Sequence, residues 1–386
     1  MARNKPLLFI SNLFPDTREP YRGLDNATIL HWLEAEYETQ VLALRPRLPF
    51  YSGPRLSARP EDEIFQPQYV DVPYIPRIGS RWNHRLMAGA LREEIARLKP
   101  SLVLSSWIYP DSCAVSKLAE EFGFPFVAIA QGSDVHQYLK IPVRRKIIVE
   151  SLKRASAVIT RSGELARLLG EAGVSKEKLH PVYNGIDFEV FKPGNQGEAR
   201  RELGLPATGK IVLFVGNFYD IKNPLLLIEA FSRLSHLEEL PHLVMIGGGP
   251  LETEAQALAK ANGTRVIFAG RRKASEVARY MQAADLLCLP SKNEGVPNVI
   301  LEAFACGLPV LASNVGGIPE VLNADYLGRL AAPNNVPELV FCLCQSLEQV
   351  PDRERIHQHG LEFSWERAAK GYLELLGPLA QAGVRP

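Results

Sequence analysis

The sequence predicts an α/β protein built from two doubly wound domains, each a mostly parallel sheet with helices on both faces. Three observations support this fold class. A chain of 386 residues is longer than a single hydrophobic core usually supports. Short runs of leucine and β-branched residues alternate with longer amphipathic stretches, which is typical of βα units. The pattern restarts after residues 191–210, a stretch with prolines and glycines that suits an interdomain linker.

The first domain, predicted to span residues 1–195, contains five apolar runs that fit buried strands. They are residues 7–10, 40–44, 102–106, 126–130 and 157–160. Residues 45–80 break this rhythm, because prolines recur throughout them. Proline removes a backbone donor and favours turns, so we expect a long irregular insertion here.

The second domain, predicted to span residues 196–363, contains five further apolar runs. They are residues 210–216, 242–247, 265–270, 285–290 and 308–313. In open α/β sheets, ligands bind beyond the carboxyl ends of the strands. Two such domains are therefore expected to face one another across an interdomain cleft that holds the ligand.

Composition and charge narrow the function classes. The formal net charge of +1 argues against a nucleic-acid partner, since nucleic-acid-binding domains usually carry a strong basic excess. Five cysteines are an odd number without a paired framework, which fits a reducing compartment. The apolar start of the chain is interrupted by Asn12 and Pro15 before it reaches the length of a signal peptide. We expect a cytoplasmic protein, at most peripheral at the inner face of the membrane.

The segment "SKNEGVPNVILEAFACG" (291–307) carries two glutamates eight positions apart. Residues 298–305 are predicted to form a helix that begins after Pro297 and stops at Gly307. Glu302 lies among apolar residues of this helix, where a carboxylate is costly unless it is hydrogen-bonded. Glu294 precedes the helix N-terminus, whose free N–H groups favour an anion. Either glutamate alone fits an ordinary solvated or snorkelling side chain, whereas the pair favours an elongated ligand.

The segment "VGNFYDIKNP" (215–224) places Lys222 between a strand and a helix start. A lysine at this position is well situated to meet a phosphate, although an exposed surface lysine is an equally good interpretation of this motif alone. The segment "MIGGGPLE" (245–252) lacks the third glycine of a dinucleotide-binding fingerprint, because that position is Glu252. We interpret it as a tight turn from strand to helix.

Together these segments resemble the family 4 retaining glycosyltransferases, which have the GT-B fold of two Rossmann-like domains. The resemblance covers nearly the whole chain and includes "YNGIDFEVFKP" (183–193) and "QGSDV" (131–135). The opening motifs are most similar to members that build bacterial cell-surface polysaccharides, such as the teichuronic acid glycosyltransferases. The resemblance implies that the C-terminal helix, within residues 364–386, packs back on the first domain.

The resemblance also implies roles for individual residues. Glu294 would bind the hydroxyls of the donor sugar, and Glu302 would bind those of the ribose. Lys222 would meet the diphosphate together with backbone amides near Gly23, Gly295 and Val296. The whole set expected to bind the donor is Gly23, Gly216, Asn217, Lys222, Arg271, Glu294, Gly295, Val296, Asn298 and Glu302, with Lys222 and Glu294 as the catalytic residues.

Two positions depart from the pattern of the family. Asn217 stands where the family often has an arginine, so Arg271 or Arg272 is a candidate second cation for the phosphates. Gln131 stands where the family often has a histidine. Gln131, Asp134 and His136 are the candidates on the acceptor side, although a structural aspartate and a surface histidine are equally good interpretations of the last two.

The implied reaction moves a sugar from a nucleoside diphosphate sugar to a hydroxyl of a saccharide or lipid-linked saccharide, with retention at the anomeric carbon. No cofactor and no obligatory metal are expected, because the chain has no D-x-D motif and Glu61-Asp62-Glu63 lacks the pattern. Two alternatives remain open: a sugar-nucleotide epimerase with the same fold, and a noncatalytic protein that binds nucleotide sugars.

A cationic segment in the first half suggests weak peripheral binding to an anionic membrane. Residues 143–157 contain Arg144, Arg145, Lys146, Lys153 and Arg154 around apolar residues. Clustered cations attract anionic leaflets. The alternative interpretation is an ordinary solvated helix face packed on its sheet.

Overall fold

A computed structural model describes residues 5–234 and 240–382. The chain forms two compact units, one of residues 1–184 and 365–386 and the other of residues 185–364. Each contains one parallel sheet with helices, so the predicted fold class is confirmed. The segment predicted as a linker belongs to the second unit, because residues 196–202 are helical and pack on a later helix of that unit. The chain therefore divides after residue 184, earlier than the sequence suggested.

The first unit has a seven-stranded sheet in the order β3-β2-β1-β4-β5-β6-β7. Its strands are β1 (Lys5–Ser11), β2 (Tyr37–Arg47), β3 (Gln68–Pro73), β4 (Val103–Ser106), β5 (Phe126–Ala130), β6 (Ala157–Thr160) and β7 (Leu179–Pro181). Its helices are α1 (Leu24–Leu33), α2 (Asn83–Leu98), α3 (Cys113–Phe122), α4 (Ser133–His136), α5 (Pro142–Arg154) and α6 (Gly163–Ala172), and the final helix of the chain (Trp365–Ala382) also belongs to this unit.

The two faces of this sheet are buried by different helices. Alternate residues of a strand point to opposite faces. On β1, Leu8 and Ile10 pack with α2, α3, α5 and α6, whereas Leu7 and Phe9 pack with α1 and the C-terminal helix. The C-terminal helix therefore completes the core of the first unit, although the chain of the second unit separates it in sequence from the rest.

Residues 45–80 are less irregular than the prolines suggested. β2 continues to Arg47, and β3 pairs with it in parallel register, Leu42 opposite Gln68 and Arg47 opposite Pro73. β3 is an edge strand, so a proline at its end costs no internal ladder bond. Because five of the six residues of β3 are half-buried or exposed, it lacks the continuous apolar run that reveals a central strand. The same applies to β7, whose residues are half-buried or exposed.

The second unit has a six-stranded sheet in the order β10-β9-β8-β11-β12-β13. Its strands are β8 (Ile211–Val215), β9 (His242–Ile246), β10 (Val266–Gly270), β11 (Leu286–Leu289), β12 (Val310–Ser313) and β13 (Gly328–Ala331). Its helices are α7 (Gln196–Glu202), α8 (Pro224–Ser232), α9 (Glu252–Ala261), α10 (Ala274–Ala283), α11 (Asn298–Ala305), α12 (Ile318–Val321), α13 (Val336–Glu348) and α14 (Arg353–Gly360); the C-terminal helix is α15. The predicted helix 298–305 is confirmed as α11.

The cationic helix α5 does not present all of its cations to solvent. Arg144 is buried, and its guanidinium lies 5.0 Å from the ring centroid of Tyr109 and 4.4 Å from that of Tyr138. The sequence interpretation of Arg144 as a surface cation is therefore wrong. Arg145, Lys146, Lys153 and Arg154 are exposed. Among the described helices, none is both long and apolar enough to cross a lipid bilayer.

Candidate active site

The sheet of the second unit has a switch point between β8 and β11. The chain runs from β8 outward through β9 to β10 and then returns to place β11 on the other side of β8. The loops that follow β8 and β11 therefore leave neighbouring strands at the same carboxyl edge and diverge. A crevice at such a point is where open α/β sheets bind ligands.

Lys222 and Glu294 meet at this switch point. Lys222 lies in the short helical turn after β8, and Glu294 lies in the loop after β11. The Lys222 Nζ is 2.5 Å from Glu294 Oε1, which also accepts a hydrogen bond from Ser291 Oγ at 2.8 Å. The side chains keep 25% and 11% of their surface exposed, so both are held in place yet accessible to a ligand.

Backbone contacts fix the loops that carry this pair. The Lys292 N–H donates to the Ile221 carbonyl at 2.8 Å and joins the loops after β8 and β11. The Gly317 N–H donates to the Gly295 carbonyl at 3.1 Å and adds the loop after β12. At Gly316, φ is 56° and a Cβ atom would lie 1.7 Å from the Glu294 carbonyl oxygen, so only glycine allows this close approach.

Helix α11 begins directly after this loop, with Pro297 as its N-cap residue. The N-terminus of α11 and the preceding residues Gly295 and Val296 lie at the carboxyl edge of the sheet, where the positive end of the helix dipole favours an anion. Asn298 and Glu302 are four positions apart, so they share one face of α11, and both are half-buried. They can contact one ligand along about one turn of helix.

Arg271, rather than Arg272, lies beside the glycine loop after β9. A Cβ atom at Gly247 would lie 1.9 Å from the Gly216 carbonyl oxygen, so the loops after β8 and β9 are in close contact. The Arg271 Nε is 3.4 Å from where a Cβ of Gly248 would stand. Arg272 instead pairs at 3.2 Å with Glu276 of α10, the helix that follows it. Asn217 is exposed next to Gly216, so Arg271 is the better candidate for a second cation.

In the first unit, Gly23 forms the N-cap of α1 at the carboxyl edge of its sheet. Its φ is 65°, and a Cβ atom there would lie 2.3 Å from the carbonyl carbon of Leu13. Asn26 of α1 donates from Nδ2 to the Leu13 carbonyl at 2.8 Å and holds the two segments together. The loop between β1 and α1 is thus tightly packed against the start of the helix.

The three acceptor-side candidates are all engaged by protein groups. Asp134 is fully buried and accepts hydrogen bonds from the backbone N–H groups of Ile108, Gln131 and Gly132. Burial raises its pKa, while these hydrogen bonds lower it. His136 lies against Glu164, with Nε2 2.7 Å from Oε2. The geometry therefore favours a structural role for Asp134.

Gln131 bridges two elements at the carboxyl edge of the first sheet. Its Nε2 donates to Asn26 Oδ1 at 2.9 Å and to Ser106 Oγ at 2.7 Å, which joins the start of α1 to the end of β4. The side-chain amide thus supplies two hydrogen bonds by which the loops of this edge hold their positions. No proton-transfer role follows from these contacts.

Asp111 is a residue that the sequence interpretation missed. It follows β4, is completely buried, and accepts hydrogen bonds from Asn12 N at 2.5 Å and Asn12 Nδ2 at 2.8 Å. Burial raises its pKa to about 7, against these hydrogen bonds, which lower it. Its Oδ1 has no hydrogen-bond partner among the residues that the structure describes. The sequence does contain a signal for this residue, because the polar pair Asp111 and Ser112 in "YPDS" (109–112) follows a predicted strand.

Family models match both parts of the chain. A model described as "Glycosyltransferase Family 4" matches residues 28–190, and one described as "Glycosyl transferases group 1" matches residues 195–362. The chain is a family 4 glycosyltransferase with the GT-B fold. The described residues of this glycosyltransferase include no group of three or more His, Cys, Asp or Glu side chains suited to a metal ion.

Curated relatives are also glycosyltransferases. The chain is 29% identical over 336 residues to TuaC of Bacillus subtilis, assigned as a teichuronic acid biosynthesis glycosyltransferase, and this match covers 81% of the chain and 82% of TuaC. It is 27% identical over 263 residues to the D-inositol 3-phosphate glycosyltransferase of Mycobacterium leprae, which covers 64% of the chain and 59% of that protein.

Solved structures share the fold over almost the whole glycosyltransferase. Sucrose-phosphate synthase from Thermosynechococcus elongatus superposes with a TM-score of 0.76 at 22% identity and covers 98% of this chain and 100% of its own. HepE of Anabaena, solved in complex with UDP-glucose, superposes with a TM-score of 0.74 at 18% identity, covering 97% and 100%. At these identities the similarity concerns the fold.

Proposed function

We propose that this glycosyltransferase moves a sugar from a nucleoside diphosphate sugar to a hydroxyl of a saccharide or lipid-linked saccharide, with retention at the anomeric carbon and without a metal. The observation that carries the proposal is the pairing of Lys222 with Glu294 at the switch point between β8 and β11. A cation for phosphate and a carboxylate for sugar hydroxyls stand side by side there. In a nucleoside diphosphate sugar, the diphosphate and the sugar are bonded directly to each other, so one ligand can meet both side chains.

The donor bond breaks between the anomeric carbon and the phosphate oxygen. Positive charge then develops on the sugar and negative charge on the diphosphate. Lys222 and the N-terminus of α11 are fixed before the reaction, so they stabilise the phosphate charge as it grows. The acceptor oxygen bonds to the anomeric carbon on the face that the phosphate leaves, and the departing phosphate oxygen takes the acceptor proton. This route requires no protein base.

Glu294 has two tasks in this mechanism. Its Oε1 accepts from Lys222 and Ser291, which leaves Oε2 for a sugar hydroxyl. Glu302 lies further along α11 and binds the ribose of the nucleotide. Arg271 supplements Lys222 at the phosphates in place of the arginine that the family often has at the position of Asn217.

The acceptor belongs to cell-surface polysaccharide synthesis. Support comes from TuaC, which is assigned to teichuronic acid biosynthesis. Its match covers 81% of this chain and 82% of TuaC itself. A UDP-linked donor is the first to test, because HepE was solved with UDP-glucose. We further propose a cytoplasmic enzyme that binds the inner face of the membrane weakly through the exposed cations of α5. Flotation with anionic vesicles tests this, and binding should vanish at high salt.

The deciding experiment combines ligand binding and turnover. A thermal-shift screen against nucleoside diphosphates and their sugars identifies the donor, since a ligand that binds the folded state raises the melting temperature. The selected donor is then incubated with saccharide and lipid-linked acceptors, and the anomer of the product is read by NMR. Transfer with retention supports the proposal. Epimerised donor without transfer indicates the epimerase alternative, and binding without turnover indicates a noncatalytic protein.

A further inference from the structure

A second anion site is suggested by a cavity on the first unit, far in sequence from the donor residues. Helix α3 packs against both α2 and α5, and a cavity of about 720 Å³ lies between these three helices. Its volume falls in the range of small-ligand sites. Its walls carry five cationic and two acidic side chains, which are Arg81, Arg85, Lys117, Lys146, Arg154, Glu120 and Glu150. We call this cavity the basic groove.

Most of the cations in the basic groove have no acidic partner. Arg154 lies 3.5 Å from Glu120. Within residues 5–234 and 240–382, no ion pair is formed by the other four cations of the groove. Uncompensated charges of one sign in a concave surface reinforce one another's potential and attract a counter-ion. The basic groove therefore favours a ligand with at least two negative charges.

His84 adds a neutral, largely buried ring to the wall of the basic groove. It lines the groove and is only 6% exposed. Its Nδ1 is enclosed by protein and has no hydrogen-bond partner among the residues that the structure describes, so a ligand in the groove would meet the remaining exposed edge of the ring. Burial, together with the positive charges of Arg85 and Lys117, lowers the pKa of His84 to about 4. The imidazole is therefore neutral at pH 7 and adds hydrogen-bonding capacity without charge.

The mouth of the basic groove is preformed. Arg144 donates from Nε to Ser80 Oγ at 3.0 Å and stacks on two tyrosine rings, which ties α5 to the turn before α2. The turn residues Arg81 and Trp82 are thereby held at one end of the groove. Trp82 is 50% exposed and offers a flat apolar surface next to the cations. A phosphate attached to a sugar ring or to a hydrocarbon chain matches this combination.

We propose that the basic groove binds a phosphate or diphosphate group of a second ligand, separately from the donor site on the second unit. The ligand is either a soluble phosphorylated saccharide or the head group of a phosphate-bearing lipid. This inference does not rest on the proposed function, because it concerns binding by residues that take no part in sugar transfer. It also differs from diffuse attraction to a membrane, since it requires a saturable site with one ligand per chain.

Calorimetric titration of the full chain with inorganic pyrophosphate tests the site. Lys117→Gln with Lys146→Gln removes two exposed cations of the groove, whereas Lys140→Gln with Lys153→Gln removes two exposed lysines of the same unit that do not line it. We expect the first pair of changes to weaken one class of binding about tenfold or more. The second pair should leave that class unchanged within about twofold. Equal weakening by both pairs would overturn the proposal, because it would indicate a general effect of net charge.

The donor site must be separated from the groove, since it is also expected to bind a diphosphate. Lys222→Met should remove the donor-site class and leave the groove class intact, so failure of either proposal is seen independently. The ring signals of His84, assigned with His84→Gln, provide a local readout by NMR. They should shift on addition of pyrophosphate in wild type and in Lys222→Met. Unmoved His84 signals at saturation would exclude the groove as the site.

The source of the phosphate is decided by competition. Vesicles of phosphatidylcholine with phosphatidylglycerol are added to the protein with and without pyrophosphate. If pyrophosphate releases the protein from the vesicles, and the Lys117 and Lys146 variant no longer binds them, the ligand is a lipid head group. If the groove binds pyrophosphate while vesicle binding is unaffected, the ligand is a soluble phosphate. Absence of saturable pyrophosphate binding, with no vesicle binding sensitive to Lys117 and Lys146, would contradict both forms of the proposal.

Discussion

Lys222 and Glu294 are 72 positions apart, yet parallel pairing of β8 with β11 brings the loops after these strands together. Lys222→Met should lower kcat about 10²–10³-fold with a smaller rise in KM for the donor, because the phosphate charge that Lys222 meets grows in the transition state. Lys292→Met is a matched control, since Lys292 pairs with the exposed Asp220 on the same loops. Steady-state kinetics measure kcat and KM of both variants, and unchanged turnover in Lys222→Met would remove Lys222 from the mechanism.

Glu302 on α11 is predicted to bind the ribose hydroxyls. Glu302→Gln keeps the shape of the side chain but weakens its hydrogen bonds, so donor affinity should fall by about 1.5–3 kcal/mol. Calorimetric titration with the nucleoside diphosphate measures this loss. The exposed Glu254 of α9 serves as control, and Glu254→Gln should bind normally. An unaltered affinity in Glu302→Gln would assign Glu302 a purely structural role.

At the scale of elements, the insertion after β2 is held on α1 by His31. Its Nε2 lies 3.2 Å from Oδ1 of Asp62, a buried residue of the helical turn Pro60–Phe65, and its Nδ1 contacts Glu34. The hydrogen bond to Asp62 raises the pKa of His31, burial lowers it, and Glu34 adds to the increase. A group with a raised pKa stabilises the fold fully below its ordinary value of about 6.5, and this contribution is lost as pH rises through the higher value.

The resulting prediction concerns the pH dependence of stability. His31→Gln should lower the melting temperature more at pH 6 than at pH 8, because only protonated His31 gains from the neighbouring carboxylates. Differential scanning fluorimetry at the two pH values measures the difference between wild type and variant. The same difference at both pH values would show that His31 is not protonated in the folded protein near neutrality.

At the scale of the whole molecule, helix α15 returns to the first unit after the chain has formed the second. Tyr372 is fully buried there with Phe9 and Leu30. Tyr372→Ala should destabilise the first unit by about 3–5 kcal/mol, because it leaves a large cavity in the core. Limited proteolysis read by mass spectrometry follows each unit separately. The exposed Glu374→Ala is the control, and equal protection of the first unit in both variants would contradict this role of α15.

The proposed metal independence can also be tested on the whole enzyme. Transfer should persist after dialysis against EDTA, because Lys222 and the amide groups before α11 meet the phosphate charge in the proposed mechanism. The rate of product formation with and without EDTA is the measurement. Loss of transfer that magnesium or manganese restores would show that a cation is required.

The fold class, the central strands and helix α11 are predictable from the amino-acid sequence alone. Buried parallel strands are short apolar runs, and a proline before a helix with a glycine after it marks both ends, so these features are local. The resemblance of its motifs to the family also indicated Lys222, Glu294 and Glu302 as donor-binding residues, and these roles stay predictions. Edge strands β3, β7 and β13 were not predicted, because partial exposure removes the apolar run that reveals a strand.

Which of these residues touch one another depends on how the elements pack in three dimensions. The ion pair of Lys222 with Glu294, the position of Arg271 beside Gly248 and the burial of Arg144 between two tyrosines all depend on which strands and helices become neighbours. The same is true of Asp111, whose partner Asn12 is 99 positions away, and of the basic groove, whose cations come from three separate helices and a turn. Local patterns encode the periodicity and ends of elements, whereas long-range pairing is set by the free energy of packing the whole chain.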